Sequence, residues 1–144
     1  MQALDTNILV DAANVASKRH SGAAHLLRTL AEGRTPWALP WPCVYEFMRI
    51  VTHPRVLSPP MDAALAWRGV VSLISSPSVV LLHETPRHTA VLGSLIGDGS
   101  VRGNLLFDAH IAALCIEHGV TTLLTGDRDF ARFAGLQALD PLVG

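Results

Sequence analysis

The chain of 144 residues has few charged residues, no long apolar run and no leader-like N-terminus, and each shortage excludes a class of protein. Only 16% of its residues are charged and 49% are apolar, which excludes a disordered chain. This length fits one domain, residues 1–144, with a sizeable core. No apolar segment reaches membrane-spanning length without a charge or proline, and the N-terminus lacks the features of a signal peptide. We therefore expect a soluble cytoplasmic protein without membrane contact.

Cysteine is also scarce, and the motifs of several common enzyme classes are missing. Cys43 and Cys115 lie in apolar stretches without the spacing of a metal site or a disulfide framework, so both are expected to be core residues. The seven histidines show no ligand spacing either. A P-loop, a glycine-rich dinucleotide fingerprint and a Cys/His zinc pattern are all absent from the sequence.

The formal net charge is only −1, so no global basic field points to nucleic acid. The net charge hides an uneven distribution of acids, however. Five of the 12 acids belong to the candidate site described below, and the 11 basic residues outnumber the acids that remain. An anionic substrate is therefore compatible with the charge balance, although the balance does not require one.

Short apolar strands alternate with amphipathic helices along the chain. This order predicts an α/β domain of three layers, α/β/α, with a mostly parallel sheet. The predicted strands cover residues 1–4, 37–39, 78–82, 121–124 and 136–139. The predicted helices cover residues 7–13, 21–32, 42–51, 86–96 and 105–117, with a helix capped by Asp62 that buries Leu65, a helix start capped by Thr85, a short helical turn at 127–133 and a flexible loop at 97–104.

Acidic residues occur in four short pieces of the chain that are far apart in sequence. Each acid lies within or beside apolar sequence that is expected to be buried, where an isolated carboxylate is costly. Acids that converge on one point would form a site for a hard divalent cation, Mg²⁺ or Mn²⁺. The pieces are Leu4-Asp5-Thr6-Asn7, Tyr45-Glu46-Phe47, Phe107-Asp108-Ala109 and Thr125-Gly126-Asp127-Arg128-Asp129-Phe130.

The predicted fold supplies a reason for these acids to meet. Asp5 and Asp127 each follow a predicted strand, and ligands of open α/β sheets bind beyond the carboxyl ends of the strands. Asp108 lies in the first turn of its helix, where the helix dipole favours a carboxylate. Glu46 lies about one turn into the helix after the second strand. His110, two residues beyond Asp108, is expected on another face of that helix.

Each acid also has a plainer interpretation. Asp5 can cap the following helix, and Asp108 can serve the helix dipole alone. Glu46 can face solvent, and Asp127 and Asp129 can be turn residues, since Gly-Asp is common in turns. The argument for a site depends on the set rather than on any one member.

Taken together, these motifs resemble the PIN-domain nucleases, and most of all the VapC-type toxins of bacterial toxin–antitoxin modules. The resemblance covers essentially the whole chain and implies a Mg²⁺-dependent endoribonuclease, with Mn²⁺ as a substitute, that uses metal-activated water. It also implies an RNA substrate, a small antitoxin partner whose tail blocks the site, and a homodimer. On matching positions it implies a catalytic quartet of Asp5, Glu46, Asp108 and Asp127, metal contacts by Asp5, Asp108, Asp127 and the auxiliary Asp129, and site-shaping groups at Thr6, Asn7 and Thr125.

Two arginines near the acids are candidates for contacts with RNA phosphates: Arg102 in the glycine-rich loop, and Arg128 between the last two acids. One rival interpretation is a non-catalytic PIN-like interaction module. Another is a phosphatase of the haloacid dehalogenase type, which also begins with an Asp at a strand end. That chemistry usually needs a second acid two residues later, where this chain has Asn7.

Overall fold

A computed structural model describes residues 1–97 and 99–143 of the chain. Asp98, in the predicted flexible loop, and the terminal Gly144 lie outside the described residues. The strands are β1 Gln2–Leu4, β2 Trp37–Pro40, β3 Val79–Leu82, β4 Thr122–Leu124 and β5 Gln137–Leu139. The helices are α1 Thr6–Ala13, α2 His20–Glu32, α3 Trp41–Val51, α4 Ala63–Ile74, α5 His88–Ile96 and α6 Leu105–Glu117, and a 3₁₀ helix covers Arg128–Arg132.

The five strands form one sheet in the order β3-β2-β1-β4-β5, and every pairing is parallel. The predicted α/β class, with three layers and a mostly parallel sheet, is confirmed. β1 lies in the centre, and Leu4 pairs with Leu124 of β4, so these two neighbouring strands end level with each other. The residues that follow them therefore emerge side by side at the carboxyl edge of the sheet.

The central strands are apolar on both faces because helices cover both sides of a parallel sheet. Trp37, Leu39 and Leu123 are fully buried, as are Leu4 and Leu82. α1 packs against α2 and α3, α3 packs against α4, and α5 packs against α6. The core is thus a sheet of short strands enclosed by two groups of helices.

α6 is apolar on nearly every face, and its central part from Ile111 to Cys115 is buried all round, whereas Leu106 and Phe107 in its first turn are exposed. Ile111, Ala112, Leu114 and Cys115 are all buried in it. This helix therefore has little freedom to move, and it fixes the position of Asp108 in its first turn. Both cysteines are free and buried, as expected from the sequence.

Local details differ from the sequence prediction at two helices. α5 begins at His88 rather than at position 86, because Thr85 accepts from the backbone N–H of Arg87 in a turn before the helix. Asp62 occupies the cap position of α4 but makes no capping hydrogen bond with its side chain. Leu65 of α4 is 53% exposed, since the helix turns the neighbouring position Ala66 toward the core instead.

The longest helices, α2 and α6, have 13 residues each. Across the described ranges 1–97 and 99–143, we find no helix with both the length and the apolar character needed to cross a bilayer.

Candidate acidic active site

The carboxyl edge of β1 and β4 carries the first part of the candidate site. Asp5 follows β1 directly, and its backbone N–H donates to the carbonyl of Leu124 at 3.0 Å. Thr125 follows β4 directly, and its own N–H donates to the carbonyl of Leu139 in β5. The level ends of the two strands thus place the side chains of Asp5 and Thr125 in contact.

Asp5 is buried, with 4% of its surface exposed, and both of its carboxylate oxygens accept hydrogen bonds. Oδ1 accepts from the backbone N–H of Thr6 at 2.7 Å, so Asp5 also caps α1 as the plainer interpretation predicted. Oδ2 accepts from the Thr125 hydroxyl at 2.7 Å and from the Asn7 amide at 2.9 Å. These donors are all uncharged, so they orient the carboxylate without neutralising it.

Thr125 is the central hydrogen-bonding residue of the site. While its Oγ1 donates to Asp5, it accepts from Asn7 Nδ2 at 3.0 Å and from the backbone N–H of Asp127 at 2.9 Å. Asn7 Oδ1 in turn accepts from the N–H of Gly126 at 2.9 Å. Thr125 and Asn7 therefore join the start of α1 to the loop after β4, which makes both of them structural supports of the acids.

Glu46 comes from the second turn of α3 and is held by the same network. The hydroxyl of Thr6, which is itself buried, donates to Glu46 Oε2 at 3.0 Å. Thr6 therefore links two acids, since its N–H contacts Asp5 and its side chain contacts Glu46.

The remaining three acids form a close group. Carboxylate oxygens of Asp108, Asp127 and Asp129 all lie within 4.8 Å of one another, a spacing that could hold a metal ion. Asp127 also caps the 3₁₀ helix by accepting from the N–H of Asp129 at 2.9 Å. Asp5 does not belong to this close group, although it lines the same cavity as Asp108 and Asp127.

The electrostatics of the acids follow from burial and from mutual repulsion. Burial, with the nearby negative charges of Asp127 and Asp5, raises the pKa of Asp108 to about 7 from an ordinary value of 3.8. Burial also raises the pKa of Asp5, and hydrogen bonds from Thr125 and Thr6 only partly oppose it. None of the ion pairs formed within residues 1–97 and 99–143 involves any of the five acids.

Two adjoining cavities meet at the acids. The first has a volume of about 600 Å³ and is lined by Asp5, Glu46, Asp108 and Asp127. The second is a groove of about 1080 Å³ that shares three of these acids and also contains Asp129. All five predicted acids therefore border one continuous depression in the surface.

The surroundings of the acids are more exposed than the sequence predicted. Tyr45 and Phe107, which flank Glu46 and Asp108, are 71% and 67% exposed, so the expectation that the sequence around each acid is buried was wrong at these two positions. Both rings line the groove together with Trp41. Successive residues on a helix point about 100° apart, so a residue next to a buried one can be exposed.

The two arginines proposed for RNA contacts are placed differently. Arg102 is exposed and lines the groove beside Asp108. Arg128 is also exposed, but it lies outside the residues that line either cavity in the described part of the chain.

Arg19 is a cavity residue that the sequence interpretation missed. It lines the first cavity, and its guanidinium pairs with Asp11 at 3.2 Å and with Asp140 at 2.7 Å. Gly126 passes so close that a Cβ at that position would lie 3.2 Å from the guanidinium. No local motif marks this residue, because its partners lie 8 and 121 positions away.

Comparisons with known proteins agree with this geometry. A family model described as the PIN domain matches residues 3–136. The curated VapC ribonuclease Mb2897 of Mycobacterium bovis is 35% identical over 144 residues, covering 100% of this chain and 97% of that protein. Ribonuclease VapC48 of Mycobacterium tuberculosis is 33% identical over 143 residues, which is 99% of each chain. The solved structure of VapBC2 from Rickettsia felis, bound to a DNA fragment from its promoter, has a TM-score of 0.68 at 23% identity and covers 96% of each chain.

The class is defined by acids gathered at the carboxyl edge of β1 and β4 in a parallel sheet, and by one family model that matches nearly the whole chain. The chain belongs to the PIN domain family. Within that family it is similar, over its full length, to VapC proteins. The resemblance stated from the sequence is therefore confirmed.

Proposed function

We propose that this protein is a VapC-type endoribonuclease that depends on Mg²⁺, or on Mn²⁺ as a substitute, and acts as the toxin of a toxin–antitoxin pair. One observation carries the proposal. Carboxylates from four separate segments border one cavity, and no basic side chain among the described residues pairs with them. Such crowding is unfavourable unless a cation is bound. The full-length likeness to proteins named as ribonucleases supports RNA as the substrate.

The donor set fits a hard divalent cation, because all of its members are carboxylate oxygens. We assign metal contacts to Asp5, Asp108, Asp127 and Asp129. When bound, the cation supplies the charge that activates water and stabilises the leaving oxygen of the phosphodiester. The oxygens of Asp5 are already oriented by Thr6, Thr125 and Asn7, so binding needs little rearrangement there.

Glu46 completes the catalytic quartet in this proposal. Its Oε2 is held by Thr6, and the residue borders both cavities, so it lies beside any RNA strand that runs along the groove. The groove also offers Arg102 for a phosphate, and Tyr45 and Phe107 for stacking against unpaired bases. We keep Arg128 as a weaker candidate for a phosphate contact because it lies outside the linings of both cavities.

The remaining parts of the proposal concern partners and location. We propose that residues 1–144 form one nuclease domain, that the protein works in the cytoplasm as a homodimer, and that a small antitoxin protein blocks the acidic cavity. The product of a neighbouring reading frame with a DNA-binding N-terminal part would be the first antitoxin to test. It should copurify with this chain and suppress its ribonuclease activity.

RNA cleavage by the purified protein, freed of any bound inhibitor, tests the activity. Cleavage should occur with Mg²⁺ or Mn²⁺ and stop with EDTA. Asp108→Asn should reduce the rate more than about 100-fold, since a metal-bound carboxylate supports an effect of several kcal/mol. Asp62→Asn is a matched control, because Asp62 is an exposed acid without a side-chain hydrogen bond at its helix cap.

If the protein is a non-catalytic interaction module, the opposite results are expected. Neither divalent binding nor metal-dependent cleavage should then occur, and Asp5→Asn and Asp108→Asn should leave the effects of the protein in cells unchanged. Full cleavage by Asp108→Asn, or cleavage that persists in EDTA, would refute the metal-dependent nuclease.

A further inference from the structure

A second group of metal-ligating side chains lies outside the acidic quartet, where α5 packs on α6. One ligand atom from each of Glu84, His88 and His110 lies within 4.8 Å of the other two. Glu84 lies between β3 and α5, His88 begins α5, and His110 is in the second turn of α6. The group therefore joins three elements of the fold.

The hydrogen bonds of His88 resemble those of a metal-ligating histidine. Its Nδ1 lies 2.6 Å from Oε2 of Glu117, whose side chain is completely buried. A carboxylate that accepts from Nδ1–H fixes the tautomer and leaves the lone pair of Nε2 available, which is the usual arrangement behind a zinc-bound imidazole.

Glu117 is itself held firmly in place. Its Oε1 accepts from the backbone N–H of Thr85 at 2.9 Å and from the Thr85 hydroxyl at 2.7 Å. A buried carboxylate that is anchored in this way orients the ring of His88 rigidly.

The other two side chains can adjust around a bound ion. His110 Nε2 lies 2.6 Å from Glu84 Oε1, and the side chain of Glu84 is 50% exposed. The rings of His88 and His110 are 5.4 Å apart between centroids. A zinc ion with ligands about 2.0–2.2 Å away would replace the proton shared by His110 and Glu84 after a small rotation of the exposed carboxylate.

We propose that Glu84, His88 and His110 form a zinc site, with Glu117 as the carboxylate that positions His88. Two imidazoles and one carboxylate are a donor set that suits zinc, whereas the all-oxygen acidic cavity suits magnesium. Three protein ligands leave a fourth position for water or another ligand. Glu84 and His110 also line the groove that contains Asp108, so the proposed site adjoins that groove.

The site would fasten α5 to the rest of the domain. None of the residues of α5, all of which are described, is fully buried, and only Leu92 and Leu95 pack partly against the core. Zinc held by Glu84 and His88 on one side and by His110 on the other would clamp α5 onto the rigid α6. This proposal does not depend on ribonuclease activity.

Zinc binding by the whole protein tests the site. Protein stripped with a chelator and then dialysed against zinc, with excess Mg²⁺ to occupy the acidic cavity, should bind one zinc per chain. His88→Ala and His110→Ala should each weaken that binding more than about 100-fold, and Glu117→Gln should weaken it about 10- to 100-fold. The melting temperature should rise with zinc in the wild type but not in either histidine variant.

Two controls and one spectroscopic measurement separate this site from other zinc binding. His83→Ala removes an exposed neighbouring histidine, and Asp108→Asn removes an acid of the other cluster, so both should retain the zinc. Co²⁺ in place of zinc should give the visible absorption of a four-coordinate site with histidine ligands in the wild type. Absence of zinc binding or of that spectrum in the wild type, or unchanged binding in both His88→Ala and His110→Ala, would overturn the proposal.

Discussion

Two clusters of carboxylates lie close together in this protein, and only one of them is paired with side chains that can carry positive charge. In the acidic cavity, Asp5 and Glu46 accept hydrogen bonds from uncharged donors, and these two acids and Asp108 repel one another. Where α5 meets α6, each glutamate is paired with a histidine: Glu117 with His88, and Glu84 with His110. Burial and the neighbouring acids raise the pKa of Asp108, whereas a backbone hydrogen bond and His110 lower the pKa of Glu84. The pKa of Glu117 is lowered despite its burial, because His88 and Thr85 donate hydrogen bonds to it.

The two clusters therefore contribute to the stability of the fold in different ways. In the histidine–glutamate cluster each carboxylate already lies at hydrogen-bonding distance from a histidine ring, so the cluster adds to the stability of the metal-free fold. The acidic cavity instead reduces the stability of the metal-free fold, because its carboxylates are crowded together without a positive partner. Removal of a carboxylate should therefore have opposite effects on stability in the two places.

The largest effect is expected at Glu117. Glu117→Ala leaves His88 and Thr85 without their buried partner, so the free energy of unfolding should fall by about 3 kcal/mol or more. Urea denaturation of metal-free protein measures this loss. Glu32→Ala, which removes an exposed acid at the end of α2, should change stability by less than about 0.5 kcal/mol. A similarly small loss at Glu117 would mean that the paired cluster does not stabilise the fold.

Thr125→Val should produce the next largest loss. Valine has nearly the same shape, but it removes the donor to Asp5 and the acceptor for Asn7 and for the N–H of Asp127. Buried groups left without partners cost about 1–3 kcal/mol, which denaturant unfolding can resolve. Thr121→Val is the matched control, since Thr121 is exposed just before the same strand. Equal results for the two variants would show that the network around Asp5 contributes nothing to stability.

Much of this acidic network could be predicted from the sequence because its causes are local. Asp5 follows a strand directly, and so does the Thr125–Asp127 segment, and parallel strands bring their carboxyl ends to one edge. The neighbour relation of β1 and β4 then places Asp5 against Thr125. Glu46 was predicted from a looser surrounding sequence, yet it lies in the same network through Thr6. The assignment of metal contacts to individual acids stays a prediction.

Asp108→Asn is the third test, and it should raise the stability of the fold where the first two variants lower it. The pKa of Asp108 is about 7 in the folded protein against an ordinary 3.8, so the folded state disfavours the ionised form. This penalty is absent below about pH 4, grows as the pH rises toward 7 and is complete above it. Asp108→Asn cannot ionise, so without metal it should stabilise the protein at pH 8 and have little effect at pH 4.

The size of that stabilisation should be about 1 kcal/mol, well below the full value of such a shift, because Asp108 is partly exposed and water screens the repulsion. Melting temperatures of wild type and variant across pH 4–8 in EDTA would measure it. If Asp108→Asn changed the stability equally at every pH, burial and the neighbouring acids would not raise the pKa of Asp108.

The histidine–glutamate cluster was not predictable from sequence spacing. His88 and His110 lie 22 positions apart on different helices, so the pattern shows no ligand motif, and only the packing of α5 on α6 brings them together. His110 was expected to face away from Asp108, and the structure pairs it with Glu84 instead. The exposed rings of Tyr45 and Phe107 were also missed, because adjacent positions on a helix point in different directions.

Arg19 gives the smallest expected effect and tests whether the acidic cavity is truly without a cation of its own. Arg19 lines that cavity, but its guanidinium is committed to Asp11 and Asp140 and is 34% exposed. Arg19→Gln should therefore lower the free energy of unfolding by less than about 1 kcal/mol. Because it also frees the negative charge of Asp11 beside the cavity, Mg²⁺ should bind slightly more tightly. Calorimetric titration against Arg34→Gln, an exposed arginine elsewhere, measures this, and weaker Mg²⁺ binding would show that Arg19 organises the acids after all.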